Sequence, residues 1–160
     1  MRTGLIRTAA AAGIALGGVM VGPAMAQAAP AEQCVLYAGE TSPQCFSDSL
    51  ARSSFEGESA MASWVTVGIF YDAAGYSNAR GQLVVKAPRG CDADTTSPDW
   101  SWSSITPAWN NRVSSFVTRN RCDLKGYTGA NYTGDRFARY QDHDRGLVRF
   151  NNNITSFRMS

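Results

Sequence analysis

The sequence predicts an all-β fold, a sandwich or barrel of short strands, on three observations. From Trp64 onward, runs of β-branched and aromatic residues alternate with Gly, Asn, Asp and Pro clusters. The same region contains an internal repeat. The chain has 160 residues, of which 44% are hydrophobic and 18% charged, the composition of one folded domain with a core. A lone histidine, His143, excludes multi-histidine zinc sites and leaves Ser-His-Asp hydrolysis a single candidate base.

Residues 1–26 have the pattern of an export signal. Arg2 and Arg7 precede an apolar run from Ala9 to Val21, and Pro23-Ala24-Met25-Ala26 ends in small-x-small, with Ala28 an alternative cleavage point. The apolar run is shorter than the roughly 20 residues that span a bilayer, so the expectation is a secreted protein with no membrane partner. Without Arg2 and Arg7 the formal charge of +2 falls to zero. Residues 27–63 form an acidic segment expected to lie on a mildly basic domain, 64–160. No dense basic stripe with open aromatics announces nucleic acid, and a monomer is expected.

Cys34, Cys45, Cys91 and Cys122 in an exported chain point to two disulfides, with three possible connectivities. Cys34–Cys45 and Cys91–Cys122 are preferred because each pair falls within its own region. Ser47 to Ala62 holds helix formers behind a possible Ser47 or Asp48 cap, but Gly57 and the serines keep any helix short. Strands are expected at 64–71, 82–86, 115–118, 135–140 and 154–158.

The repeat is gapless over eight residues. Trp109-Asn110-Asn111-Arg112-Val113-Ser114-Ser115-Phe116 matches Phe150-Asn151-Asn152-Asn153-Ile154-Thr155-Ser156-Phe157 in character at every position but the fourth. An earlier echo pairs Tyr71-Asp72-Ala73-Ala74-Gly75-Tyr76-Ser77-Asn78 with Tyr127-Thr128-Gly129-Ala130-Asn131-Tyr132-Thr133-Gly134. The first copy is longer, and 90–107, with Trp100 and Trp102, is the expected insertion. Each copy opens on two aromatics around a tight hairpin, where Gly134 or Asn78 can take positive φ.

These motifs resemble the βγ-crystallin superfamily, whose Greek key opens with that aromatic hairpin and whose calcium-binding members carry Asn/Asp-Asn/Asp-x-x-Ser/Thr-Ser. The resemblance implies a single domain of two Greek keys in a β-sandwich. It also implies two calcium ions, each held by both loops, through the side chains of Asn111, Ser114, Asn152 and Thr155 and the carbonyls of Arg112 and Asn153. The residues alone admit a plainer reading, in which Asn-Asn bends the chain and Ser/Thr caps the bend. Asn in place of Asp, and the positive Arg112, predict weak binding, about 10⁻⁴ to 10⁻³ M.

Other candidates are weaker. Asp142-His143-Asp144 lacks a nucleophile motif and reads as a solvated turn, and Asp92, Asp94 and Asp99 read as a solvated loop rather than a hydrolytic carboxylate pair. Trp100 and Trp102, two apart, would share one face of a strand and offer a platform for an extracellular protein or cell-wall glycan. The expected function is therefore a secreted, non-enzymatic calcium-binding protein. The rival is a peptidase inhibitor or killer-toxin-like protein using the 90–107 loop, since the resemblance extends to small exported proteins of both kinds.

Overall fold

A computed structural model describes residues 31–58, 63–92, 94–105 and 107–160; the expected export segment and its cleavage points lie outside the described residues. The β-rich run after Trp64 forms β3 (Val65–Tyr71), which pairs antiparallel with β4 (Gln82–Ala87) and β6 (Ser115–Thr118). The predicted last strand is β9 (Ser156–Met159), which pairs antiparallel with β5 (Trp100–Trp102) and β7 (Leu124–Tyr127). Two sheets result, in the orders β2-β1-β4-β3-β6-β8 and β5-β9-β7, with β1 at Gln33–Tyr37, β2 at Gln44–Phe46 and β8 at His143–Asp144.

The topology explains the repeat. β3 and β7 open the two copies, β6 and β9 close them, and each copy lends its third strand to the other's sheet: β5 pairs with β9, and β8 with β6. The closing phenylalanines, Phe116 and Phe157, are wholly buried, and both pack on Phe70 with ring centroids 6.4 and 4.9 Å away. Trp109 and Phe150 hold equivalent places at the loop entries, but Trp109 is fully buried while Phe150 only packs against the edge of the core.

The strand expected over 135–140 does not form. Only Arg136 and Gln141 make single bridges, to Tyr127 and Leu124. One core residue, Phe137, anchors the segment, stacked on Phe116 at 5.9 Å and against Phe150 at 4.8 Å, while Ala138 and Arg139 are exposed. With one buried side chain the alternation that stabilises a half-buried strand is missing.

The N-terminal segment is built into the sheet rather than laid on it. β1 (Gln33–Tyr37) runs parallel to β4, and β2 (Gln44–Phe46) pairs antiparallel with β1. Cys34 and Leu36 enter the main core, while Tyr37 meets Trp64 at 5.7 Å and Phe55 at 6.4 Å on the other face. A strand covered on both faces needs an unbroken apolar run, which Cys-Val-Leu-Tyr supplies. Phe55 belongs to α1 (Ser49–Glu58), whose Ala51 amide donates to Asp48 Oδ1 at 2.7 Å, making Asp48 the cap. Both preferred disulfides are present, Cys34–Cys45 across β1 and β2, and Cys91–Cys122 across the start of the insertion and the repeat boundary. Among the described residues, no helix is long and apolar enough to cross a membrane.

Candidate metal centre

The local chemistry of each Asn-Asn loop dictates its shape. Asn111 and Asn152 take φ of 57° and 52°, the left-handed region that asparagine tolerates better than other non-glycine residues. The turn is closed by Arg112 N donating to Trp109 O, and in the second copy by Asn153 N donating to Phe150 O. The hairpins repeat one another as closely, with Gly75 and Tyr76 at φ 72° and 61°, and Asn131 and Tyr132 at 53° and 63°. Gly134 is left-handed as expected, at φ 74°, but Asn78 is not among the positive-φ residues. Both hairpins are turned by this left-handed pair, and the second adds Gly134, whose counterpart Asn78 stays out of the left-handed region.

Two serines fasten loops to hairpins. The Ser115 hydroxyl donates to Ala73 O at 2.6 Å and accepts from the Tyr76 amide at 3.1 Å; Ser156 does the same with Gly129 O, at 2.6 Å, and the Tyr132 amide, at 3.0 Å. That is the physical reason for the last serine of each motif.

The loops then reach across to one another. Asn111 N donates to Ile154 O at 3.1 Å, and Asn152 N to Val113 O at 3.0 Å. The Ser114 hydroxyl lies 2.9 Å from Asn152 Oδ1, and the Thr155 hydroxyl lies 3.3 Å from Asn111 Oδ1. The four side chains expected as ligands thus meet as two reciprocal pairs, one oxygen from each loop in each pair. Asn111, Asn152 and Asn153 are exposed, while Ser114 is only 4% exposed.

The donor set is all oxygen, which fits a hard cation such as calcium and not a thiolate- or imidazole-seeking one. Oxygens about 3 Å apart are within reach of one ion at calcium–oxygen distances of about 2.3–2.6 Å. Asn110, absent from the expected ligand set, has its Oδ1 buried without a hydrogen-bond partner, an acceptor left over beside the first loop. Elsewhere among the described residues, Glu32, Cys34 and Cys45 bring ligand-type atoms within 4.8 Å of one another. Those two sulfurs are joined as a disulfide and offer no thiolate, so that grouping is not a metal site.

The side chain of Arg112 is turned to a different task from the one its charge suggested. Its guanidinium donates to Glu32 Oε2 at 2.6 Å, to Asp72 Oδ2 at 3.1 Å and to Ala108 O at 2.9 Å, and lies 4.8 Å over the Trp109 ring. Burial works against the charge, but the bonds to Glu32 and Asp72 outweigh it and hold the pKa above the ordinary arginine value. The cation is thus matched by carboxylates from the N-terminal segment and the first hairpin. Arg112→Gln should cost about 1–2 kcal/mol in chemical denaturation, since charged hydrogen bonds are worth about 1.5–3 kcal/mol and this site is partly open to solvent. A loss within 0.3 kcal/mol of zero, again by the measure of an ordinary surface pair, would show the contacts to be energetically idle.

The other candidates resolve plainly. Trp102 is 1% exposed, stacks on Phe157 at 4.6 Å and donates from Nε1 to Tyr37 O at 3.1 Å, so it is a core residue and not part of a surface platform. Trp100 is half-buried, with the Arg89 guanidinium 5.3 Å over its ring. Their shared face, correctly inferred, is the inner one. His143 sits exposed with Nδ1 2.8 Å from Asp142 Oδ1. Asp94 caps a local turn, its carboxyl held below the usual range by the Thr96 amide and hydroxyl, and Asp99 accepts from Arg89 and the Asp92 amide.

No protein-family profile matches the chain, and no curated protein does. Among solved structures, the N-terminal domain of protein S aligns with TM-score 0.42 at 17% identity, covering 59% of this chain and 94% of that one. A single mutant of a βγ-crystallin domain from Clostridium beijerinckii aligns with TM-score 0.40 at 15% identity, covering 58% and 95%, and a double mutant with 0.42 at 14%, covering 59% and 97%. By its own geometry, the region from Val65 to Ser160 is a two-sheet sandwich in which two aromatic hairpins are each fastened to an Asn-Asn loop and the two loops meet.

Proposed function

We propose that this chain is a secreted, non-enzymatic calcium-binding protein whose two ions are each shared between the Asn-Asn loops. The observation that carries the reading is the reciprocal pairing of Ser114 with Asn152 and of Thr155 with Asn111. Each ion would take one amide oxygen and one hydroxyl from these pairs, with the carbonyls of Arg112 and Asn153. No carboxylate belongs to this set, so the affinity belongs at the weak extracellular end, about 10⁻⁴ to 10⁻³ M. Calcium then supplies a cross-brace between two loops that hydrogen bonds alone already align.

Thermal unfolding in chelator, in calcium and in magnesium tests this. Calcium at 100 times its dissociation constant should stabilise the fold by about 2.7 kcal/mol per site. The rise in Tm should be much smaller in Ser114→Arg and in Thr155→Arg, because each variant removes a hydroxyl and inserts a cation where both loops meet. Magnesium should act weakly, since its near-octahedral demand suits these loops poorly. Equal Tm in chelator and in millimolar calcium would reduce the loops to structural turns.

A second reading, inhibition of an extracellular peptidase, rests on the insertion. Its exposed stretch 94–98 is braced: the Ser160 hydroxyl bonds the carbonyls of Asp94 and Ser97, Arg89 holds Asp99, and Cys91 is tied to Cys122. A rigid exposed loop is what resistance to cleavage requires. Titration against extracellular proteases separates the readings, because inhibition without a calcium-dependent Tm would favour this one.

A further inference from the structure

The outer face of the three-stranded sheet carries a row of positive charge. Leu124, Phe157 and Met159 turn into the core, so their neighbours Lys125 and Arg158, register partners on β7 and β9, turn outward side by side. Arg136, in bridge register with Tyr127, joins them on that face. Like charges directly opposite one another in an antiparallel pair are destabilising. Yet among the described residues none of the three cations has an ion-pair partner. The Arg158 Nε is buried with no hydrogen-bond partner.

Tyrosines stand where carboxylates would be expected. The Arg158 guanidinium lies 4.0 Å over Tyr132 and 5.8 Å from Tyr127, and the Lys125 ammonium lies 5.5 Å over Tyr140. A cation on a ring face gains attraction without losing its charge. The terminal N–H groups of an arginine form a fork that fits an oxyanion. Neighbouring strands lie about 4.8 Å apart, so this row suits closely spaced anionic groups on an extended polymer.

We propose that this face binds a flexible anionic glycan, whose carboxylate or phosphate groups are met by Lys125, Arg136 and Arg158. A single-stranded nucleic acid fits less well, because it needs open aromatic faces for stacking, and here the faces of Tyr132 and Tyr140 are already occupied by cations. The three cations lie outside the Asn-Asn loops, and binding through them requires no calcium.

Binding is measured with polygalacturonate as the carboxylate glycan, phosphomannan as the phosphate glycan, neutral dextran and oligo-dT, all in chelator so that calcium cannot bridge. Either anionic glycan should bind, more weakly as salt rises, and dextran should not; the tighter of the two identifies the oxyanion. Lys125→Gln/Arg136→Gln should weaken binding at least tenfold with an unchanged Tm. Arg121→Gln, which removes one positive charge from an exposed turn elsewhere, should leave binding within twofold. Arg158→Gln is measured in parallel with its own Tm, since that side chain is half-buried. Anionic glycans binding no better than dextran, oligo-dT binding more tightly than both, or the double variant binding like Arg121→Gln would each overturn the proposal.

Discussion

Trp102→Ala should cost about 3–5 kcal/mol, the range for truncating a large buried aromatic side chain. Trp102 is almost wholly enclosed, its indole lies at 20° to the Phe157 ring, and its N–H reaches the Tyr37 carbonyl. It therefore joins three parts of the chain: the insertion that carries it, the closing strand of the second repeat, and the N-terminal strand. Truncation leaves a cavity between the sheets and removes one of two donors to the Tyr37 carbonyl, the Glu40 amide being the other. Against a domain stability of about 5–15 kcal/mol, this is enough to unfold a marginal protein. Trp102→Phe should cost less, about 1–3 kcal/mol, because a ring can still stack while the hydrogen bond is lost. Denaturant titration checks both. A loss below about 1 kcal/mol for the alanine variant, far short of the cavity range, would mean that Trp102 is not seated in the core and would revive it as a surface platform.

Replacing Cys91 and Cys122 together by alanine should cost about 3–4 kcal/mol, the loop-closure value for cysteines 31 residues apart. The same change at Cys34 and Cys45, 11 residues apart, should cost about 3 kcal/mol or slightly less. The longer loop holds the insertion and its strand β5, so its release should also expose 94–98 to proteolysis before the repeats unfold. The Asn-Asn loops hang on Ser115, Ser156 and one another rather than on this bond, so the calcium-dependent rise in Tm should survive. Unfolding measured with both cysteines replaced, with limited proteolysis beside it, decides the matter. The prediction fails if the shorter bond proves to be worth more.

Much of the site was legible because it is repeated. An Asn-Asn-x-x-Ser/Thr-Ser pattern has one bend-forming residue, one hydroxyl facing the other loop and one hydroxyl tying the hairpin, and the structure assigns each of these to its own position. The hairpins were legible for the same reason, although the positive φ expected at Asn78 is absent: the pairs Gly75-Tyr76 and Asn131-Tyr132 turn both copies, and Gly134 adds a left-handed residue in the second alone. The strand expected at 135–140 was not legible. Arg136, Phe137 and Tyr140 have β-forming character, but Phe137 is spent on the core between Phe116 and Phe150, leaving too little alternation for a ladder.

The sequence by itself determined the all-β class and the doubled Asn-Asn motif, and nearness in sequence favoured the disulfide pairing that the structure has, because each is written in local residue types and their spacing. Only the tertiary structure decided where long-range partners fall. It wove Gln33–Tyr37 into the sheet beside β4, turned Arg112 toward Glu32 and Asp72, buried Trp102, and set Lys125 beside Arg158 on an open face. These outcomes depend on which face of a strand meets the core and which residues 40 to 80 positions apart are brought together. Local propensity carries no information about either, because both are set by the packing of the whole sandwich.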